Sequence, residues 1–260
     1  MSKKLGFALG AGGSRGVAHV GFLKAMEEAG IKPDYITGCS MGSVIGAGYA
    51  SGMTSDEMYA AVKKLRMLDL LATSGKPGGL FDTRKIRKLL ERYFGDPDFA
   101  DLKTKFSCVA VDLNSQDVIE FKEGKVIDGV VSSSCIPGIF KPIQLNGMRL
   151  IDGGILERVP YVQLKNMGAE VVVCVDVLGH RDTTEAVGTT IRILMETIDL
   201  MDNARTERRR KENESVIDFW LEPKLGNMSQ YSLKQVVFAY EKGYEIGKEY
   251  APKIKAKLEE

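Results

Sequence analysis

Ile36-Thr37-Gly38-Cys39-Ser40-Met41-Gly42-Ser43-Val44-Ile45-Gly46-Ala47-Gly48 holds a serine with a glycine two residues before it and another two residues after it. Apolar residues Tyr35 and Ile36 lead in, and small residues up to Ala50 lead out. This pattern predicts a strand, a sharp turn and a helix, with Ser40 on the turn. Gly38 and Gly42 remove the side chains that would clash there, and Cys39 and Met41 complete the elbow. Such a turn lifts the Ser40 hydroxyl into an open site. It also aims the N–H groups at the start of the following helix at the same place, where they suit a developing oxyanion.

A second glycine turn precedes it. Leu5-Gly6-Phe7-Ala8-Leu9 has the composition of a short buried strand. It ends in Gly10-Ala11-Gly12-Gly13-Ser14-Arg15-Gly16, and a helix follows with Val17, Val20, Leu23 and Met26 on its apolar side. A strand, glycine loop and helix can turn several backbone N–H groups toward one anion. Two functions fit: a phosphate cradle for a dinucleotide, or an oxyanion hole for an ester hydrolase. The dinucleotide pattern fails at its third glycine, where Arg15 stands, and no acidic residue follows Tyr35-Ile36-Thr37 to hold a ribose. Strands joined by a strand–helix–strand unit normally lie parallel and adjacent, so donors and nucleophile would sit side by side. Arg15 is then either a cation for an anionic substrate group or a brace for the loop. His19 is expected to be a structural helix histidine rather than a base.

Composition sets the outer limits. The chain has 260 residues, 44% of them apolar, and a net charge of +1. It is long enough for a substantial core, and it lacks the basic excess of a nucleic-acid binder. The four cysteines, Cys39, Cys108, Cys135 and Cys174, are far apart with no C-x-x-C pair, so reduced buried thiols are expected rather than a metal or redox site. No signal-peptide or transmembrane stretch is apparent, and the expectation is a cytoplasmic protein able to sit peripherally at the inner face of a membrane.

The remaining segments alternate in an α/β manner. Helices are expected over 54–71, opened by a Thr54-x-x-Glu57 capping box, and over 83–94, with a basic outer face compatible with anionic lipid. Residues 73–81 have the composition of a mobile loop, in which Leu80 and Phe81 are candidates for lipid contact. A strand at 106–113 with an antiparallel partner at 117–121, a helix at 126–134 and an Asn146-Gly147 hairpin follow. The continuous apolar run Val171-Val172-Val173-Cys174-Val175 suits a parallel strand buried on both faces. A long helix over about 188–214 is expected to bury Ile191, Leu194, Met195, Ile198 and Met201. A strand at 216–221 and one or two closing helices over 232–258, broken near Pro252, complete a single domain.

The Asn-Gly hairpin delivers Asp152-Gly153-Gly154 at a strand end, with room around the carboxylate. A conventional serine triad needs a histidine, and only His19 and His180 exist. A Ser–Asp dyad is the alternative to a Ser40–His180 triad, and a non-catalytic lipid- or nucleotide-binding module is a third reading.

Four motifs in order, the 10–16 glycine loop, the Ser40 elbow, Ser133-Ser134-Cys135-Ile136-Pro137-Gly138-Ile139-Phe140 and Asp152-Gly153-Gly154, resemble the bacterial patatin-like phospholipases. The likeness covers residues 5–177; residues 178–260 are not distinctive. It implies a three-layer α/β/α sandwich around a mostly parallel sheet. Ser40 would be the nucleophile, Asp152 its base, and Gly12, Gly13, Ser14, Arg15 and Gly16 the oxyanion hole. It further implies a lipid acyl-ester substrate, phospholipid or lysophospholipid, no cofactor and no metal. The loop departs from three consecutive glycines at Ala11, which keeps the backbone donor.

Overall fold

The computed structural model describes residues 3–65, 72–73, 81–179 and 190–260. Strand β1 (Leu5–Leu9) ends in the glycine loop, whose Gly13–Gly16 segment makes a 3₁₀ turn before helix α1 (Val17–Glu28). Strand β2 (Tyr35–Cys39) runs directly into α2 (Met41–Ala50), and α3 (Ser55–Lys64) opens with the Thr54–Glu57 capping box. The helix expected over 54–71 ends earlier, because Leu65 is extended and closes α3 at Lys64; residues 66–71 and the loop at 74–80 lie outside those described. The ends of that loop form a short ladder, β3 (Ala72–Thr73) against β4 (Phe81–Asp82). There follow α4 (Arg84–Phe94), β5 (Lys105–Asp112), β6 (Val118–Phe121), α5 (Val126–Ser133), β7 (Ile143–Leu145) and β8 (Met148–Asp152). The chain closes with α6 (Tyr161–Met167), β9 (Val171–Val175), α7 (Thr190–Glu212), β10 (Phe219–Leu221) and α8 (Val236–Glu259).

The main sheet runs β10-β9-β1-β2-β5-β8-β7, with β6 also on β5. From β10 to β5 every pairing is parallel, and β6, β7 and β8 are antiparallel. Side-chain alternation along β1 makes the three layers. Phe7 and Leu9 enter the large core with Phe22 and Leu23 of α1, whereas Ala8 faces the smaller core with Tyr161 and Leu164 of α6. The fold is the expected α/β/α sandwich with a mostly parallel sheet.

One register detail governs the site. Cys39, the last residue of β2, pairs with Val109, and Asp152, the last residue of β8, pairs with Ala110. Strand β6 spans these same positions of β5 from its opposite edge. Strands β2 and β8 therefore share one edge of β5, and their C-terminal ends meet head to head.

The C-terminal third departs from expectation in three places. Helix α8 is unbroken through Pro252, because buried Ala251 and Ile254 hold both sides of the proline against the core. Residues Glu214–Val216 form a 3₁₀ turn, so the last strand starts later than expected. Helix α7 turns part of its expected apolar face outward, with Leu194 57% and Met201 66% exposed, while Ile198 is half-buried and Asp202 and Thr206 are buried. Its inward positions are taken by polar partners described below; the side chains of Ile191 and Met195 lie outside those described.

Helices α1 and α8 approach closely through glycines. A Cβ on Gly243 would lie 1.8 Å from the Ala18 carbonyl oxygen, and one on Gly21 2.0 Å from that of Tyr240. Gly243→Ala is expected to force the helices apart and to lower stability by about 1–3 kcal/mol or more, as overpacking does. Urea denaturation of the variant checks this, and an unchanged midpoint contradicts the close packing.

Candidate active site

Ser40 sits at φ 52° and ψ −121°, a left-side conformation that a non-glycine residue adopts only under restraint. Strain there is on the order of 1–3 kcal/mol. The restraint is visible. A Cβ on Gly42 would lie 2.0 Å from the Leu9 carbonyl oxygen, and one on Gly38 2.5 Å from the Ser43 Cα, so backbone packs on backbone at both glycines. The Ser40 N–H donates to Ser133 Oγ at 2.9 Å, and Ser43 Oγ donates to the Ser40 carbonyl at 2.6 Å. No role for Ser43 or Ser133 was legible in the sequence. The serine pair before Cys135 was the available signal, since small hydroxyls beside an elbow can bind its backbone.

Asp152 meets Ser40 as the strand ends dictate. Ser40 Oγ donates to Asp152 Oδ2 at 2.6 Å, and the Gly154 N–H donates to Asp152 Oδ1 at 2.8 Å. Both residues are buried. Burial pushes the Asp152 carboxyl up to about 6, against the opposing pull of the hydrogen bonds from Ser40 and Gly154. A Cβ on Gly153 would lie 2.3 Å from the Val109 carbonyl oxygen, so the chain must be bare where it leaves β8.

The glycine loop is more specialised than expected. The Ser14 N–H donates to the Gln230 carbonyl and the Arg15 N–H to that of Gly12, which removes both from the set of oxyanion donors. The amide of Gly16 lies within the 3₁₀ turn. No described residue accepts from the amides of Gly12 and Gly13, and both residues line the cavity at Ser40. Arg15 is a brace and not a substrate cation: its side chain is buried and donates to the carbonyls of Val177, Gly226 and Met228.

Two cavities open on Ser40. The larger, about 340 Å³, is apolar and is walled by Met41, Val44, Phe81, Ile86, Leu90 and Ile139, among others. The smaller, about 60 Å³, is bounded by Gly12, Gly13, Asp152, Asp199, Gln230 and Tyr231. Phe81 is half-buried in the wall, its backbone paired with Ile139 and Lys141, so it is a lining residue rather than an exposed contact. Leu80 lies outside the described residues.

His19 is the structural histidine expected. It is buried, its Nε2–H donates to the Gly10 carbonyl at 2.8 Å, and burial lowers it to about 4. His180 lies outside the described residues. All four cysteines are free and buried. Among the described residues, no cluster of His, Cys, Asp or Glu is arranged to hold a metal, and no helix is long and apolar enough to cross a membrane.

The patatin-like phospholipase family model matches residues 7–165, and the chain belongs to that family. It is similar to the lysophospholipase nte1 of Aspergillus fumigatus, 35% identical over 195 residues that make up 71% of this chain and 12% of that protein. An uncharacterized NTE family protein of Mycobacterium tuberculosis is 32% identical over 181 residues, 68% of this chain and 50% of its own. The chain thus spans half or less of these curated relatives. Among solved structures, VipD from Legionella pneumophila shares the fold at TM-score 0.64 and 14% identity, over 97% of this chain and 67% of that one. The type III effector ExoU does so at TM-score 0.51 and 12% identity, over 96% of this chain and 53% of that one.

The raised Asp152 carboxyl has a consequence for stability. A folded value of about 6 above an ordinary 3.8 means its contribution is fully present below pH ~4 and is lost as pH rises through about 6. The ionised carboxylate then costs on the order of 3 kcal/mol. Asp152→Asn is expected to exceed the wild type in stability by about 1–3 kcal/mol at pH 8, with the gain vanishing near pH 4. Urea unfolding at the two pH values tests it; a gain that does not depend on pH contradicts the assignment.

Proposed function

We propose that this protein is a serine acyl-ester hydrolase acting on lipids, with Ser40 as nucleophile and Asp152 as base. The observation that carries the reading is the 2.6 Å hydrogen bond from Ser40 Oγ to a buried Asp152 beside a large apolar cavity. Asp152 takes the hydroxyl proton as Ser40 Oγ attacks the ester carbonyl. The Gly12 and Gly13 amides stabilise the oxyanion, together with the start of α2. The protonated Asp152 then gives its proton to the departing alcohol, leaving an acyl-enzyme on Ser40. Water, deprotonated by Asp152, attacks that ester; Asp152 returns the proton to Ser40 Oγ as the fatty acid leaves, which restores both residues.

The substrate is a lipid whose acyl chain fills the 340 Å³ apolar cavity and whose alcohol portion lies toward the 60 Å³ one. The second cavity at Ser40 is far smaller, about 60 Å³ against 340 Å³, which favours a one-chain lysophospholipid over a two-chain phospholipid. Relatives bearing the name lysophospholipase support the same choice. Residues 5–177 carry the motifs and residues 178–260 complete one catalytic domain, since Arg15 depends on carbonyls from 226 and 228.

Hydrolysis of lysophosphatidylcholine and of a short p-nitrophenyl ester tests the proposal. Ser40→Ala and Asp152→Asn should each lower kcat/KM by about 10³-fold or more while folding normally, and His180→Ala should keep its activity. The one-chain lipid should turn over faster than phosphatidylcholine. Full activity in Asp152→Asn, or its loss in His180→Ala, would replace the dyad with the Ser40–His180 triad. A wild type that hydrolyses no ester would leave a lipid- or nucleotide-binding module.

A further inference from the structure

Gly154 poses a mechanical problem. Its N–H holds Asp152 Oδ1, and a Cβ there would crowd the same oxygen at 3.1 Å and the Ala11 Cβ at 3.3 Å. The position therefore favours glycine, which has no side chain to anchor itself and the softest backbone of any residue. Its orientation must be fixed from elsewhere.

We propose that α7 supplies that hold and that Arg205 is the positioning residue for Asp152. The inference rests on the Ser40–Asp152 reading. Arg205 Nη2 donates to the Gly154 carbonyl at 3.2 Å and is itself held by Asp202 Oδ1 at 2.8 Å. Asp202 Oδ2 accepts from Arg158 Nη1 at 2.9 Å, and Arg158 Nη2 meets Asp176 at 2.7 Å. One turn along α7, Arg209 donates to the Leu156 carbonyl at 3.1 Å and to Glu157 at 2.9 Å. The helix thus grips Gly154, Leu156, Glu157 and Arg158, the segment that follows the base. The same network reaches the glycine loop, because the Arg158 carbonyl accepts from the Ala11 N–H at 2.9 Å.

This accounts for the inverted helix. The half-buried backbone carbonyls of Gly154 and Leu156 beside the base take donors from arginines of α7, and the Arg205 fork is anchored by the buried Asp202 carboxylate in fixed geometry. An apolar inward face would have packed but could not have held Gly154. Asp202 also adds a negative charge that helps keep the Asp152 carboxyl raised. Helix α7 lies beyond the segment matched by the family model, so this hold belongs to the part of the chain whose sequence was least informative.

Arg205→Met keeps the stem of the side chain and removes the donor. With a short p-nitrophenyl ester, kcat should fall about 10- to 100-fold with KM within about twofold, as misplacement of a reacting group does. Arg205→Lys should restore part of kcat. Arg208→Met, on the exposed side of the same helix, should match the wild type. Thermal unfolding of each variant gives the folded fraction at the assay temperature. Unchanged kcat in Arg205→Met overturns the proposal. So does a loss that only follows the unfolded fraction, because the contact then serves stability alone. Ser40→Ala is run alongside: if it keeps turnover, the reading of Ser40 has failed and this inference goes with it, a result distinct from an indifferent Arg205.

Discussion

Two strands end against consecutive residues of a third. Cys39 of β2 pairs with Val109 and Asp152 of β8 with Ala110, on one edge of β5. Because β2 and β8 run toward each other, the residue after one and the last residue of the other must meet. The 2.6 Å contact between Ser40 and Asp152 follows from sheet register, not from a flexible loop finding its target. A side-chain pair fixed by backbone ladders loses little entropy when it forms, which suits the roles of nucleophile and base proposed for it.

That placement has an energetic cost which the surroundings offset. Ser40 is held in a strained conformation by glycine contacts and by Ser43 and Ser133, and Asp152 is buried with its charge disfavoured. Strain and burial each act against stability and in favour of reactivity, the one presenting the hydroxyl and the other raising the basicity of the carboxylate. The rest of the fold resists relaxation. Arg15 ties the glycine loop to the carbonyls of Val177, Gly226 and Met228, and α7 braces the segment after Asp152.

The parts legible in the sequence were those where local chemistry decides structure. Strand β1 and the Ser40 elbow were marked by glycines that backbone contact requires, α3 by its Thr54–Glu57 capping box, and the hairpin before Asp152 by Asn146-Gly147 at positive φ. The parts that were not legible depend on distant partners. Periodicity suggested that α7 buries Leu194 and Met201, but Arg158 and the Gly154 carbonyl select its polar face instead. Pro252 signalled a break that core packing of Ala251 and Ile254 overrides. Ser14 and Arg15 matched an oxyanion loop by position, yet their amides are taken by carbonyls, one of them from Gln230, far along the chain.

The most direct test of the central claim is the rate at which a fluorophosphonate labels Ser40, followed by mass spectrometry as a function of pH. The adduct should lie on Ser40, and the rate should rise through an apparent pKa of about 6 as Asp152 ionises. Asp152→Asn should label far more slowly and without that inflection. An adduct elsewhere, or an Asp152→Asn protein that labels at the wild-type rate with the same pH profile, would contradict the account.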